Sequence, residues 1–197
     1  CCKSMSVCGV HEDGGMVEYL SVPINALIPC NDLDLDALAL VEPFAIGAHG
    51  VRRSGMNKND VGLIIGAGPI GLATAAMALA KGSRVIIMDV NQERLHIART
   101  KLGIKHTFIA SDPFIREKIR DANEGNMPDY VFDCTGNLQA INKGFEYMGH
   151  GGTYVLIGLQ GGEISVNHPE FHKRESTLMS SRNSTREDFD FVIQCIR

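Results

Sequence analysis

The chain has 197 residues, 44% of them hydrophobic and 21% charged, which is ordinary for a soluble globular protein able to bury a real core. Its 19 basic and 23 acidic side chains leave a net charge of -4 with no long block of one sign, so neither nucleic acid nor an anionic membrane is expected as a partner. Six cysteines, at 1, 2, 8, 30, 134 and 195, form no CxxC pair and no secreted-type framework, and a reducing, cytoplasmic setting is expected.

The chain opens on Cys1-Cys2-Lys3 with no initiator methionine or signal peptide, and its last residues are still in helical phase with Phe189 and Val192. It therefore reads as a piece of something longer. Residues 1–30 differ from the rest: Gly9 to Gly15 is a polar turn, MVEYLSV at 16–22 reads as a strand, and Pro23 begins another extended piece, as in the tail of a β-rich domain. Asn31 to Asp36 supplies turn and helix-start residues, and a helical pattern runs to Val41. Glu42 precedes Pro43, which disfavours helical geometry at Glu42 and suits proline as the first residue of a new helix. That helix is expected over 43–53, with Glu42 at its N-terminus.

The stretch 61–89 organises the remainder. An apolar run at 61–65 meets Gly66-Ala67-Gly68-Pro69-Ile70-Gly71, an Ala/Leu-rich helical pattern follows, and a second apolar run, 85–88, ends in Asp89. The run from Val61 to Ala80 lacks charge, but its glycines and proline fit a buried strand-turn-helix unit and not a membrane span. Each glycine has a mechanical reason: Gly66 for the tight turn, Gly68 for backbone approach to a pyrophosphate, Gly71 for close packing of helix on strand. Amides and the positive dipole end at the helix start would hold the diphosphate, with Pro69 and Ile70 in that first turn. Asp89, 18 residues after Gly71, is placed to accept hydrogen bonds from ribose hydroxyls and to repel a 2'-phosphate, which favours NAD over NADP.

Further βα units follow. Asn91 caps a helix with Gly103 beyond it, 106–109 is a strand, 113–121 a helix, 130–133 a strand, 138–147 a helix, and 153–157 and 177–180 strands. Ser184-Thr185-Arg186-Glu187 reads as a capping box, Ser184 to Glu187, opening the last helix. Alternating strands and helices imply an α/β fold, a Rossmann-type doubly wound sheet of six parallel strands over 42–197, preceded by the tail of a β-rich domain over 1–41. His49 and His11 lack a second ligand at metal spacing and are read as structural.

With these elements placed, the chain resembles the zinc-containing medium-chain alcohol dehydrogenases, in their sorbitol and polyol branch, and within it the hexonate (L-galactonate-type) dehydrogenases. The residues carrying the resemblance are GVHEDGGMVEYLSVP (9–23), LVEPFAIGAHGVRRSG (40–55), GAGPIGL (66–72), Asp89, DCTGN (133–137), GGTYVLIGL (151–159) and SSRNSTREDF (180–189). It implies a β-rich, GroES-like zinc domain joined to the Rossmann domain, and hydride transfer between a secondary alcohol of a polyol or sugar acid and NAD. It implies that Glu42 faces a catalytic zinc, directly or through water, and that Cys2 is the fourth ligand of a structural zinc whose partners lie upstream of Cys1. By the same resemblance Arg94 lies along the adenosine, Ile157, Gly158 and Leu159 lie under the nicotinamide, and Ser181, Arg182 and Asn183 reach cofactor and substrate; an arginine suits a hydroxyl or carboxylate. A homodimer or homotetramer is expected, paired through the edge formed by strand six and the segment 163–166.

Three other readings compete with this one. A short-chain dehydrogenase needs Tyr-x-x-x-Lys, and none of the four tyrosines has lysine four residues on. A zinc-free medium-chain reductase is opposed by Glu42 and Cys2 in their contexts. A nucleotide-binding module without catalysis is the non-enzyme alternative.

Overall fold

The computed structural model describes residues 5–197 and divides the chain into two compact units, the second being Leu35–Arg197. In the first unit, a turn over 7–13 is closed by a bridge between Cys8 and Glu12 and by the Val7 amide donating to His11 Nδ1 at 3.0 Å. Residues 16–22 do not form the expected strand. A strand needs a partner, and among the described residues this segment has none; Met16, Val17, Tyr19, Leu20 and Val22 all lie exposed. Ile24–Ala26 is a single 3-10 turn.

The second unit is a six-stranded parallel sheet: β1 (Val61–Ile65), β2 (Arg84–Asp89), β3 (His106–Ile109), β4 (Tyr130–Asp133), β5 (Thr153–Leu156) and β6 (Thr177–Ser180), in the order β3-β2-β1-β4-β5-β6. Helices α1 (Leu35–Ser54), α2 (Pro69–Ala80), α3 (Gln92–Leu102), α4 (Ile115–Ala122), α5 (Leu138–Gly144), α6 (His168–Lys173) and α7 (Arg186–Ile196) complete it. All five residues of β1 are buried, as expected for a central parallel strand covered on both faces. The period-2 alternation divides the core in two. Ile64, Ile87, Phe132 and Val155 pack with Val51, Ala75 and Leu95 on one face, while Leu63, Ile86, Val131 and Tyr154 pack with Ile115 and Ile119 on the other.

Two local expectations give way to packing. No new helix begins at Pro43, because α1 runs unbroken from Leu35 to Ser54 with the proline inside it, so Glu42 is an exposed mid-helix residue and not a helix-N-terminal acid. Interior proline costs a hydrogen bond, but α1 lies close along α2. A Cβ on Gly47 would stand 2.6 Å from the Thr74 amide nitrogen, and Val41, Ala45 and Ala48 are buried on both sides of the proline. At the other end the capping box of α7 is Thr185 with Asp188, one residue on from the expected Ser184 and Glu187. The six-residue α6, capped by Asn167, was not anticipated; the helix expected over 138–147 ends at Gly144 and continues as a 3-10 turn to Tyr147. Among the described residues no helix is long and apolar enough to cross a membrane.

Candidate functional site

The sheet order reverses at β1, whose neighbours β2 and β4 carry the chain to opposite sides, and in such sheets ligands settle outside the carboxyl ends of the strands at the reversal. The residues singled out from the sequence, apart from Glu42 and Cys2, lie at or just beyond that end. Gly66 follows β1, Asp89 ends β2, Ile157 to Leu159 follow β5, and Ser181 to Asn183 follow β6. Cys2 lies outside the described residues.

The three glycines of the turn are accounted for separately. Gly66 has φ +97°, open to glycine and strained for other residues. Gly71 admits no side chain, because a Cβ there would stand 1.8 Å from the Gly66 carbonyl oxygen. Gly68 is different: its φ of -73° suits any residue, and a Cβ would have nothing within 4 Å. Neither backbone strain nor packing within the chain calls for glycine there. It is the N-cap of α2, which has no side-chain cap, with Pro69 at the first helical position and Ile70 next. The start of the helix thus presents amides and a positive dipole end to open space.

Asp89, only 6% exposed, braces this turn. Its Oδ2 accepts from the Ala67 amide at 2.6 Å and its Oδ1 from the Asn91 amide at 2.7 Å, while Arg94 Nη1 stands 3.7 Å from Oδ2. Asn91 in turn caps α3 through the amides of Glu93 and Arg94. A carboxylate has about four acceptor positions, so capacity remains for hydroxyl donors.

The second part of the site is a cleft of about 620 Å³ lined by Ile46, Leu156, Ile157, Gly158, Leu159, Ser181, Arg182 and Asn183 among others. The structure therefore brings the two predicted loops to one cavity. Arg182 is exposed, and Asn183 has φ +58°. The expectation for Gly158 needs a further reason: a Cβ there would stand 2.3 Å from the Gly136 amide nitrogen, so the chain itself excludes a side chain.

That contact identifies residues to which the sequence reading gave no role. The loop after β4 lies between the two parts of the site: Thr135 Cγ2 is 2.8 Å from where a Gly66 Cβ would be, and a Gly136 Cβ would meet the Leu159 carbonyl oxygen at 2.6 Å. Asp133, fully buried, holds this loop, accepting from the Thr135 hydroxyl at 2.8 Å and from the Thr135 and Gly136 amides at 3.1 Å. Burial pushes its carboxyl above the ordinary value against those hydrogen bonds. The adjacent Cys134 thiol is pushed up to about 12 by burial, which keeps it a thiol and no nucleophile at neutral pH. DCTGN was visible in the sequence as a motif, and Asp133 closing a turn two and three residues on is a readable Asx pattern.

The metal expectation concerns Glu42 and Cys2. Among the described residues no group of three His, Cys, Asp or Glu side chains is placed to hold a metal ion. Glu42 is exposed midway along α1. The described residues do not make a zinc site by themselves.

Comparison with known proteins agrees with this geometry. The chain is 44% identical over 189 residues to L-galactonate-5-dehydrogenase of Escherichia coli K12, covering 96% of this chain and 55% of that protein. It is 32% identical over 170 residues to D-xylulose reductase of Scheffersomyces stipitis, covering 85% and 47%. Two crystal structures superpose with a TM-score of 0.88: an alcohol dehydrogenase of Escherichia coli CFT073 complexed with NADH (28% identity; 98% of this chain, 57% of that one) and a zinc-binding dehydrogenase of Sinorhizobium meliloti 1021 bound to NADP (27%; 99% and 59%). The chain spans about half the length of the curated relatives it matches. Residues 69–197 match the family described as zinc-binding dehydrogenase, and the chain belongs to that family.

Proposed function

We propose that this chain is the cofactor-binding half of an NAD-dependent dehydrogenase that passes a hydride between NAD and a secondary alcohol of a polyol or sugar acid. The observation that carries the reading is Gly68, a glycine that neither its φ nor its surroundings require, at the uncapped start of α2. A diphosphate lying against that backbone supplies the reason. Bound NAD supplies the hydride acceptor; the chain supplies its seat. Amides at the start of α2 hold the diphosphate and Asp89 takes the adenosine ribose hydroxyls, with Arg94 beside it. The loops Ile157–Leu159 and Ser181–Asn183 flank the nicotinamide end.

The sugar-acid preference is supported by the 44% identity to L-galactonate-5-dehydrogenase and by Arg182, an exposed guanidinium lining the cleft and suited to a carboxylate or hydroxyl. Glu42 beside a metal whose other ligands lie outside the described residues belongs to the same proposal. In a zinc-loaded, substrate-active protein Glu42→Gln is expected to slow turnover more than it changes NAD affinity, and an unaltered rate returns Glu42 to a solvated helix residue.

The choice of NAD over NADP rests on Asp89, since one solved relative holds NADH and another NADP. Asp89→Ala is expected to weaken NAD by about tenfold or more, the equivalent of one or two charge-assisted hydrogen bonds, and to relax discrimination against NADP. Because the substitution also frees the Ala67 amide, the ratio of the two affinities by titration calorimetry is the quantity to read. An unchanged ratio removes Asp89 from this role.

A further inference from the structure

Asp188 on α7 has a side chain 1% exposed, yet donors converge on it from three residues. Its Oδ1 accepts from Arg52 Nε at 2.7 Å; its Oδ2 accepts from Arg52 Nη2 at 3.2 Å, the Thr185 amide at 2.7 Å and the Thr185 hydroxyl at 2.9 Å. His49 Nδ1 stands 2.8 Å from the same Oδ2. Burial pushes this carboxyl up, but the hydrogen bonds from Arg52, Thr185 and His49 more than offset it and hold the group well below the usual carboxylate range. Asp188 is therefore an anion that only accepts, and the Nδ1 facing it carries the imidazole proton.

These partners join two places. Arg52 and His49 lie on α1, the helix whose Ile46 lines the cleft and whose Gly50 lies against it: a Cβ on Gly50 would stand 2.6 Å from Ile157 Cδ1 and 3.6 Å from Ser181 Oγ. Thr185 is the N-cap of α7 and ends the loop that begins at Ser181. Ser181 is itself fixed, its amide donating to the Leu156 carbonyl at 2.8 Å. Only Arg182, Asn183 and Ser184 intervene between the two anchors.

We propose that Asp188 is a positioning residue: by locking the start of α7 to Arg52 and His49 of α1, it fixes where Arg182 and Asn183 stand at the cleft. This rests on the dehydrogenase reading for its consequence, but the geometry can be tested apart from it. Asp188→Asn removes the charge, and Arg52→Gln removes the cationic partner, whose side chain is one-third exposed. Limited trypsinolysis followed by mass spectrometry reads scission after Arg182, and titrations read NADH against ADP-ribose, which lacks the nicotinamide end.

In both variants scission after Arg182 is expected to quicken about tenfold, as for a local opening made about 1.4 kcal/mol easier, with scission after Arg94 and Lys118 unchanged. NADH is expected to bind about fivefold more weakly, and ADP-ribose within about twofold of the unsubstituted protein. An unchanged rate at Arg182 in Arg52→Gln overturns the proposal. So does equal acceleration at every site, or an equal loss of both ligands, since the network then only stabilises the fold. Failure of the unsubstituted protein to bind either ligand sinks the dehydrogenase reading instead, and the scission comparison still decides the positioning.

Discussion

Gly71→Ala is expected to abolish dinucleotide binding and to destabilise the protein by about 3 kcal/mol, the upper range for overpacking a close-packed site. The added Cβ would stand 1.8 Å from the Gly66 carbonyl oxygen and 2.8 Å from the Gly66 carbonyl carbon, both backbone atoms that cannot rotate away. Relief requires moving α2 off the end of β1 or opening the turn, and the turn is braced by the Ala67 amide on Asp89 and by the Gly66 amide on the Met88 carbonyl at 2.8 Å. Either movement displaces the amides that would face a diphosphate.

Gly68→Ala is the matched comparison. Its Cβ meets nothing in the chain and its φ is ordinary, so stability is expected to change by no more than about 1 kcal/mol, the loss of a tolerable N-cap residue. Binding of NADH and ADP-ribose is expected to fall at least about tenfold, because the methyl occupies the space a diphosphate needs. Urea unfolding and ligand titration on both variants separate the two roles. Gly68→Ala binding NADH as tightly as the unsubstituted protein would falsify the diphosphate assignment, whatever Gly71→Ala does.

Much of the nucleotide half was legible because its information is local. The apolar runs at 61–65 and 130–133, the glycine turn and Asn91 each dictate structure within a few residues, and β1, β3, β4 and β6 lie where the pattern places them. Errors arose where distant partners decide. Ser184/Glu187 and Thr185/Asp188 both satisfy the capping-box spacing; what selects the second is Arg52 and His49, brought from more than a hundred residues away onto Asp188. The same applies to Pro43, where the close approach of Gly47 to α2 keeps α1 unbroken across a residue that locally signals a new start. Gly158 carries a second constraint that its own loop does not show, the Gly136 amide nitrogen 2.3 Å from where its Cβ would stand. In α6 the signals were present, since Asn167 caps it and a proline sits in the first turn, yet six residues give too little periodicity to stand out.

Asp188→Ala is expected to cost about 3–5 kcal/mol at neutral pH, the range for removing one partner of a buried ion pair. The loss exceeds that of an exposed bridge because the groups left behind have nowhere to turn. Arg52 would keep Glu187, at 3.2 Å on an exposed carboxylate, and the Thr185 hydroxyl at 3.1 Å, while the Thr185 amide and His49 Nδ1 would each lose their acceptor. The contribution has a defined pH dependence. Asp188 titrates below its ordinary value of 3.8 in the folded state, so the unfolded chain binds the proton first. The stabilisation is fully present above 3.8 and is lost as pH falls below it toward the folded value. The gap between the unsubstituted protein and Asp188→Ala should therefore be constant from pH 5 to 7 as far as this group is concerned, and should narrow below about pH 3.8. Urea denaturation at pH 7 and pH 3 reads both quantities. A gap under about 1 kcal/mol at pH 7, the size expected of an exposed ion pair, would show that the carboxylate does not hold α1 to α7 as its contacts imply.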